Sequence, residues 1–411
     1  MNYELFIAKR IIAGKKYKNS ISSPIIKIAI TAIALGIIIM LIAVATGAGL
    51  QYKIRDKMAG FQGHVQITNY ENNNSNISIT AINKNQDFYP EFSSVSGIKN
   101  VQIFANKAGL LRTETDFEGI IFKGVSTDYD WTFFKEYLVA GKIPNFNQLR
   151  TKEVLLSQTI VNRLQLKLND TILATFIKNK NSKWPSNRKY TIVGIYNSGF
   201  AEFDKNMMIG DLREVQKLNK WTENEVGGFE VLLDNFDNIE EKGAEIYSNI
   251  GATLNSKTIV DRYPTVFEWI NLFDNNVWFI IAIMILIAGI NMITALLVLI
   301  LERVQMIGIL KALGSQNSSI RKVFLYNAAY LILKGLLWGN IIGLSIIGIQ
   351  HFFKVITLDP ETYYVSTMPV YISIGTILAL NVGTLILCFL MLIIPSYIIT
   401  KINPSKSIKF A

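Results

Sequence analysis

The charge-free runs constrain this chain more than any other feature. Ile28–Tyr52 and Val277–Leu301 are each 25 residues long without a charged side chain. Val323–Phe353 carries only Lys334, and Thr362–Thr400 carries no charge. A hydrocarbon core about 30 Å thick is crossed by roughly 20 helical residues, because a helix pairs every backbone N–H and C=O within itself. Four such runs predict an α-helical membrane protein with four transmembrane helices.

The charges between the runs set their sidedness. Met1–Lys27 holds Lys9, Arg10, Lys15, Lys16, Lys18 and Lys27 against Glu4 alone, the loop 302–322 holds Arg303, Lys311, Arg321 and Lys322 against Glu302, and the tail holds Lys401, Lys406 and Lys409. Short basic flanks stay on the cytoplasmic side. Both termini and the 302–322 loop are therefore expected inside. Lys53–Asn276 is different: its 26 basic and 27 acidic residues nearly cancel, and it has no run long enough to span. The other 187 residues carry 15 basic and 4 acidic ones, so the net charge of +10 sits in short flanks of apolar runs. That is membrane topology and argues against a nucleic-acid partner.

The expected order is a cytoplasmic amphipathic segment (1–27), a first span (28–52), a large extracytoplasmic domain (53–276) and a second span (277–301). The basic loop (302–322), a third span (323–353), a short outer segment (354–369), a fourth span (370–394) and a cytoplasmic tail (395–411) follow. Ala43-x-Ala45 imitates a cleavage site, but a signal peptide's apolar region is roughly 7 to 15 residues, so the first span reads as retained. The outer domain is long enough for its own core, expected as two lobes, and its alternating strands and short helices predict a mixed α/β lobe. Strands are expected at His64–Thr68, Val101–Phe104, Gly119–Val125, Glu153–Ser157, Tyr190–Tyr196 and Phe229–Leu233. Helices are expected at Gln158–Leu166, Leu212–Lys220 and Ile239–Ile250. Glu71–Asn76 and Lys178–Lys189 read as loops.

Familiar chemistry is missing. The chain has no GxxxxGK[ST] loop, HExxH helix or GxSxG elbow. Cys388 is the single cysteine, which excludes an intramolecular disulfide, and His64 and His351 share no metal-ligand spacing. Within the spans, Gly335-x3-Gly339-x3-Gly343 offers a small-residue face for close helix packing. Lys334 reads either as a snorkelling boundary residue or as a functional charge.

The 302–322 loop has a pattern of its own. Val304, Ile307, Leu310 and Leu313 recur at three-residue steps and Gly314 follows as a stop. A short helix results, and periodicity leaves two readings open: it lies on the lipid surface, or it seats in a groove on a soluble partner.

The wording of several segments resembles the FtsX-like permease family of ABC transporters, within the MacB-like superfamily, and in particular its LolC/LolE lipoprotein-releasing members. The segments are ERVQMIGILKALGSQNSSIRKVF in the inner loop, YYVSTMPV before the last span, the tail PSYIITKINPSKSIKF, and GFQGHVQI, KEVLLSQTIVNRLQLKLNDTI and RKYTIVGIYNSG in the outer domain. The resemblance covers nearly the whole chain and implies a permease domain at about 277–404 and an outer, extracytoplasmic domain of two subdomains, one mixed α/β and the other β-rich. It implies a non-enzymatic subunit that binds no cofactor itself and works with a second permease subunit and a dimer of a cytoplasmic ABC ATPase, which holds ATP and Mg²⁺. The inner helix would then be the coupling helix, with Arg303, Val304, Ile307, Leu310, Lys311, Leu313 and Gly314 as ATPase-coupling residues.

For the lipoprotein-releasing members the resemblance further implies a lipoprotein substrate taken from the outer leaflet of the inner membrane and handed to a periplasmic carrier. A hook would grip that carrier in the loop FIKNKNSKWPSNR, through Phe176, Lys183, Trp184, Pro185 and Arg188. Acyl chains need cover, since each CH₂ exposed to water costs about 0.8 kcal/mol. Met40, Leu41, Met284, Ile287 and Met292 are candidates for that lining among membrane lipids. The competing functions are a MacB-like permease that transmits force to export peptides or toxins, and a regulator of a periplasmic hydrolase that moves no cargo.

Overall fold

The computed structural model describes residues 3–13, 22–72, 75–147, 150–176 and 185–402. In chain order the helices are α1 (Tyr3–Ala13), α2 (Ser22–Gln62), α3 (Gln158–Arg163), α4 (Ala201–Asp204), α5 (Leu212–Asn219) and α6 (Ile239–Asn249). Then come α7 (Ile259–Arg262), α8 (Pro264–Glu302), α9 (Val304–Ala312), α10 (Asn317–Phe353), α11 (Pro360–Tyr363) and α12 (Ile374–Ser396). The strands are β1 (Val65–Asn69), β2 (Ile82–Asn83), β3 (Ile98–Arg112), β4 (Phe117–Val125), β5 (Leu138–Gly141) and β6 (Glu153–Ser157). They continue with β7 (Thr171–Phe176), β8 (Ser186–Tyr196), β9 (Met207–Asp211), β10 (Glu225–Val226), β11 (Gly228–Leu233) and β12 (Leu254–Thr258).

The chain divides into two compact units. One comprises residues 1–51, 269–356 and 368–411, and the other residues 52–268 and 357–367. Among the described residues four helices are long and apolar enough to cross a membrane, α2, α8, α10 and α12, and they fall on the four charge-poor runs.

In the helical unit, α2 and α10 pack along the predicted small-residue face. A Cβ placed on Gly335, Gly339 or Gly343 would meet Ile33, Ile37 and Leu41 respectively at 2.7 to 3.0 Å. Hydrophobicity does not drive helices together in lipid, so this close approach supplies the attraction through van der Waals contact. Between α10 and α12, Asn340 donates to Asn381 (2.6 Å) and Asn381 donates back (3.0 Å), while each amide also donates to its own i−4 carbonyl. At Gly49 the backbone of Pro369 and Val370 comes so close that a Cβ would sit 2.5 Å from the Pro369 carbonyl oxygen, and Tyr371 N–H donates to Ala45 O (2.9 Å). Pro369 and Val370 are thus seated against α2 by a missing side chain.

The second unit is built on a ten-stranded sheet in the order β12-β1-β11-β3-β4-β9-β6-β8-β5, with β7 joining β3 to β8, and β2 pairs with β10 in a separate two-stranded sheet. Its central part closes on itself. The first half of β3 pairs with β11, but Gly109–Arg112 pair with β7, and β7 pairs with β8 through Phe176↔Ser186. The ring β3-β4-β9-β6-β8-β7 is therefore complete, since each of these strands pairs with two others in it. Phe122, Phe176 and Tyr190 meet inside it, with centroids 5.3 to 6.3 Å apart. Gly109 and Gly210 leave room for the Phe176 and Phe122 rings.

The last turn of α2 is embedded in this unit. Phe61 is fully buried among Phe133, Phe134, Tyr137, Tyr196 and Phe203, at 5.1 to 6.3 Å between ring centroids. Its carbonyl, one of the unpaired groups at a helix C-terminus, accepts from the buried Lys123 ammonium. Lys123 also donates to Glu230 (2.6 Å), which accepts in addition from Gln66 (3.0 Å) and Gln102 (2.9 Å).

Candidate partner-binding sites

The inner helix forms as its pattern predicts. Val304–Ala312 is α9, and it ends in a Schellman motif: Ser315 N–H donates to Leu310 O (2.9 Å) and Gly314 N–H to Lys311 O (3.0 Å). Gly314 has φ +91°, a conformation that costs a side-chain-bearing residue strain, so the stop is a stereochemical requirement.

The faces of α9 are divided differently from the expectation. Ile307 has no exposed surface, and Met306 and Leu310 pack against the same membrane-bundle core. Lys311 turns inward, where its ammonium donates to the carbonyls of Ile399 (2.7 Å), Thr400 (3.2 Å) and Ile402 (2.9 Å). Arg303 and Val304 are half-buried. What the chain leaves uncovered is Gln305, Ile309, Ala312 and Leu313, with Leu313 78% exposed. The three-residue stripe winds around the helix, so its first members enter the core and only Leu313 emerges on the open side.

Most of the expected hook, residues 177–184, lies outside the described residues; the strands on either side of it, β7 and β8, run antiparallel. Lys183 and Trp184 lie outside the described residues. Pro185 is exposed, and Arg188 is half-buried on β8 opposite Ala174. Phe176 is corrected: it is fully buried in the ring of strands, so its side chain serves the core and is not available to a docking partner. The expected loop 178–189 also ends earlier, because β8 begins at Ser186.

The proposed lipid-lining residues do not share a face. Met40, Leu41 and Met292 are fully buried in the helix-bundle core, and Met284 packs partly against it. Ile287 alone is exposed, beside Ile283, Leu286 and Ile290 on one face of α8. These recur at i, i+3, i+4 and i+7, which is one helical stripe. For the three buried residues, the correction follows from packing: on a helix surrounded on one side, the bulky side chains nearest the neighbours fill the bundle.

The buried Lys57 and the half-buried His64 make contacts that no sequence pattern pointed to. Lys57, near the end of α2, donates to Ser198 O (2.5 Å) and Tyr364 O (2.9 Å); burial, then the Lys53 charge, lowers its pKa to about 8. The Tyr364 ring stacks on Phe200 at 4.3 Å. His64 accepts at Nδ1 from Leu233 N–H (3.1 Å), and burial followed by the Lys99 charge lowers its pKa to about 4. No sequence spacing links Lys57 to residues 198 and 364, which meet it only through the tertiary fold. Among the described residues no cluster of three or more His, Cys, Asp or Glu side chains is placed to hold a metal.

Comparison with known proteins identifies the class. The MacB-like periplasmic core domain model matches residues 28–247, more than half of the chain, and the FtsX-like permease C-terminal model matches residues 278–404. The chain belongs to the FtsX-like, MacB-like permease superfamily of ABC transporters. It is a multi-pass inner-membrane protein with a large periplasmic domain, and permeases of this class act with separate ATPase subunits. It is similar to the lipoprotein-releasing system transmembrane protein LolC of Neisseria meningitidis serogroup B, at 21% identity over 99% of both chains. It is also similar to LolE of Haemophilus influenzae, at 19% identity over 99% of both. The extracellular domain of the noncanonic ABC-type transporter YknZ from Gram-positive bacteria aligns with 47% of this chain and 99% of its own, at 14% identity and a TM-score of 0.31.

Proposed function

We propose that this chain is the membrane subunit of a lipoprotein-releasing ABC transporter, driven by a separate ATPase and delivering its substrate to a periplasmic carrier. The observation that carries this reading is end-to-end similarity to LolC and LolE, proteins whose names state that activity, with no part of either chain left over beyond about one residue in a hundred. The uncovered α8 stripe of Ile283, Leu286, Ile287 and Ile290 provides an apolar surface for acyl chains. The paired strands β7 and β8 flank a carrier hook centred on Trp184 and Pro185. A second permease subunit completes the complex, and α9 meets the ATPase through Ile309 and Leu313, the apolar side chains it leaves open.

The test is lipoprotein release. The permease is purified with its ATPase from native membranes, reconstituted with a radiolabelled lipoprotein, and given periplasmic extract and ATP. ATP-dependent transfer of the lipoprotein to a soluble carrier is expected. Trp184→Ala should weaken carrier capture about thirtyfold, as loss of roughly 2 kcal/mol from a central aromatic contact requires. The MacB-like match over residues 28–247 favours peptide export as the second reading. Crosslinks from position 184 to a membrane-fusion adaptor, with no lipoprotein released, would establish export instead.

A further inference from the structure

The Lys311 ammonium is held by three backbone carbonyls at the end of the fourth membrane helix, those of Ile399, Thr400 and Ile402. These carbonyls belong to the 3₁₀ turn Tyr397–Lys401 that continues α12, and to the residue after it. Carbonyls at a helix C-terminus carry its negative dipole end, and although Ile399 O also accepts from Ile402 N–H (3.4 Å), a cation there is bound as a cap. A second cation grips the same turn from α10. The Arg321 guanidinium lies 3.7 Å from the centre of the Tyr397 ring, and its Nε donates to Ser396 Oγ (3.1 Å). Ser396 and Ile399 are fully buried at this junction.

We infer that Lys311 is a positioning residue that fastens α9 to the cytoplasmic end of α12, so that a displacement of α9 is delivered to the fourth membrane helix. The inference rests on the reading of α9 as the ATPase-docking element and divides its surface by task. Ile309 and Leu313 face outward to the ATPase, whereas Lys311 faces inward and transmits. Charge-assisted hydrogen bonds to three acceptors make the link stiffer than apolar contact alone, because direction as well as distance is fixed.

The experiment uses the permease purified with its ATPase and placed in lipid nanodiscs. In Lys311→Met the ATPase should still co-purify in wild-type amount, while stimulation of ATP hydrolysis by the permease falls roughly tenfold. Lys311→Arg, which keeps a multidentate cation, should restore most of the stimulation. Unchanged stimulation in Lys311→Met would overturn the inference, as would loss of the ATPase from that variant, which would make Lys311 a docking residue. Spin labels at Ala312→Cys and Ile398→Cys, in an otherwise native chain, give a measurement independent of that variant's folding. Their separation should be the same with and without ATP, and a change would show that α9 and α12 move apart. If Leu313→Asp retains the ATPase, the docking reading fails instead, and the spin-label result is unaffected by that failure.

Discussion

Lys123 and Glu230 form an ion pair at 2.6 Å with essentially no exposed side-chain surface on either partner. Burial favours the neutral lysine and lowers its pKa, with Glu230 acting in the opposite direction. The pair persists because every charged atom is matched: the Phe61 carbonyl on one side, Gln66 and Gln102 on the other.

Removing one partner should therefore be worse than removing both. Lys123→Met leaves a buried carboxylate without its cation and should cost about 3 to 5 kcal/mol, whereas Lys123→Met/Glu230→Leu should recover most of that loss. Urea unfolding of the detergent-solubilised protein, followed by tryptophan fluorescence, measures both. A double variant no more stable than the single one would refute this account.

His64 makes the periplasmic domain sensitive to acid. Its folded pKa is about 4, below the ordinary value of 6.5. Between these values the unfolded chain binds more protons, so the stabilisation is complete above about pH 6.5 and is lost as pH falls toward 4. The full effect is on the order of 3 kcal/mol. His64→Gln should flatten that part of the stability profile, since glutamine still offers an acceptor to Leu233 N–H but does not titrate. Parallel profiles for the two proteins between pH 4 and 6.5 would rule His64 out as the source.

On α9, two substitutions of the same kind should behave oppositely. Leu313→Asp changes an exposed side chain and should alter stability by less than about 0.5 kcal/mol, yet weaken ATPase attachment by roughly 2 kcal/mol. Ile307→Asp places a carboxylate in the bundle core and should abolish folded protein before attachment can be measured. Detergent-stable yield and ATPase co-purification separate the outcomes. A well-folded Ile307→Asp would contradict the burial of that residue.

The membrane architecture was legible because a charge is costly in hydrocarbon and its absence over 25 residues is hard to arrange otherwise. Glu153–Ser157 was placed to the residue, and Gly314 was legible as a stop because few residues accept a positive φ. The ring of strands was not legible. β9, MMIGD, is buried along its whole length and shows no alternation, so it offers no period-2 signal. Closure depends on β3 exchanging β11 for β7 partway along, a choice made by residues more than 60 positions distant. For α9 the period was visible in the sequence, but which side of it the bundle covers was decided by α8, α10 and the end of α12. The inward turn of Lys311 was not legible because its acceptors are backbone atoms, which have no letter in the sequence.

The contact between α2 and α10 repeats. Ile33, Ile37 and Leu41 meet Gly335, Gly339 and Gly343, so teeth and gaps both recur every four residues. Such a seam has a pitch, about 6 Å for four residues of helix. Sliding by one pitch would refill two of the three gaps, while any smaller slide drives branched side chains onto the ridges between glycines. The first and third membrane helices are thus indexed against each other like a rack, and lengthwise motion between them comes in whole steps.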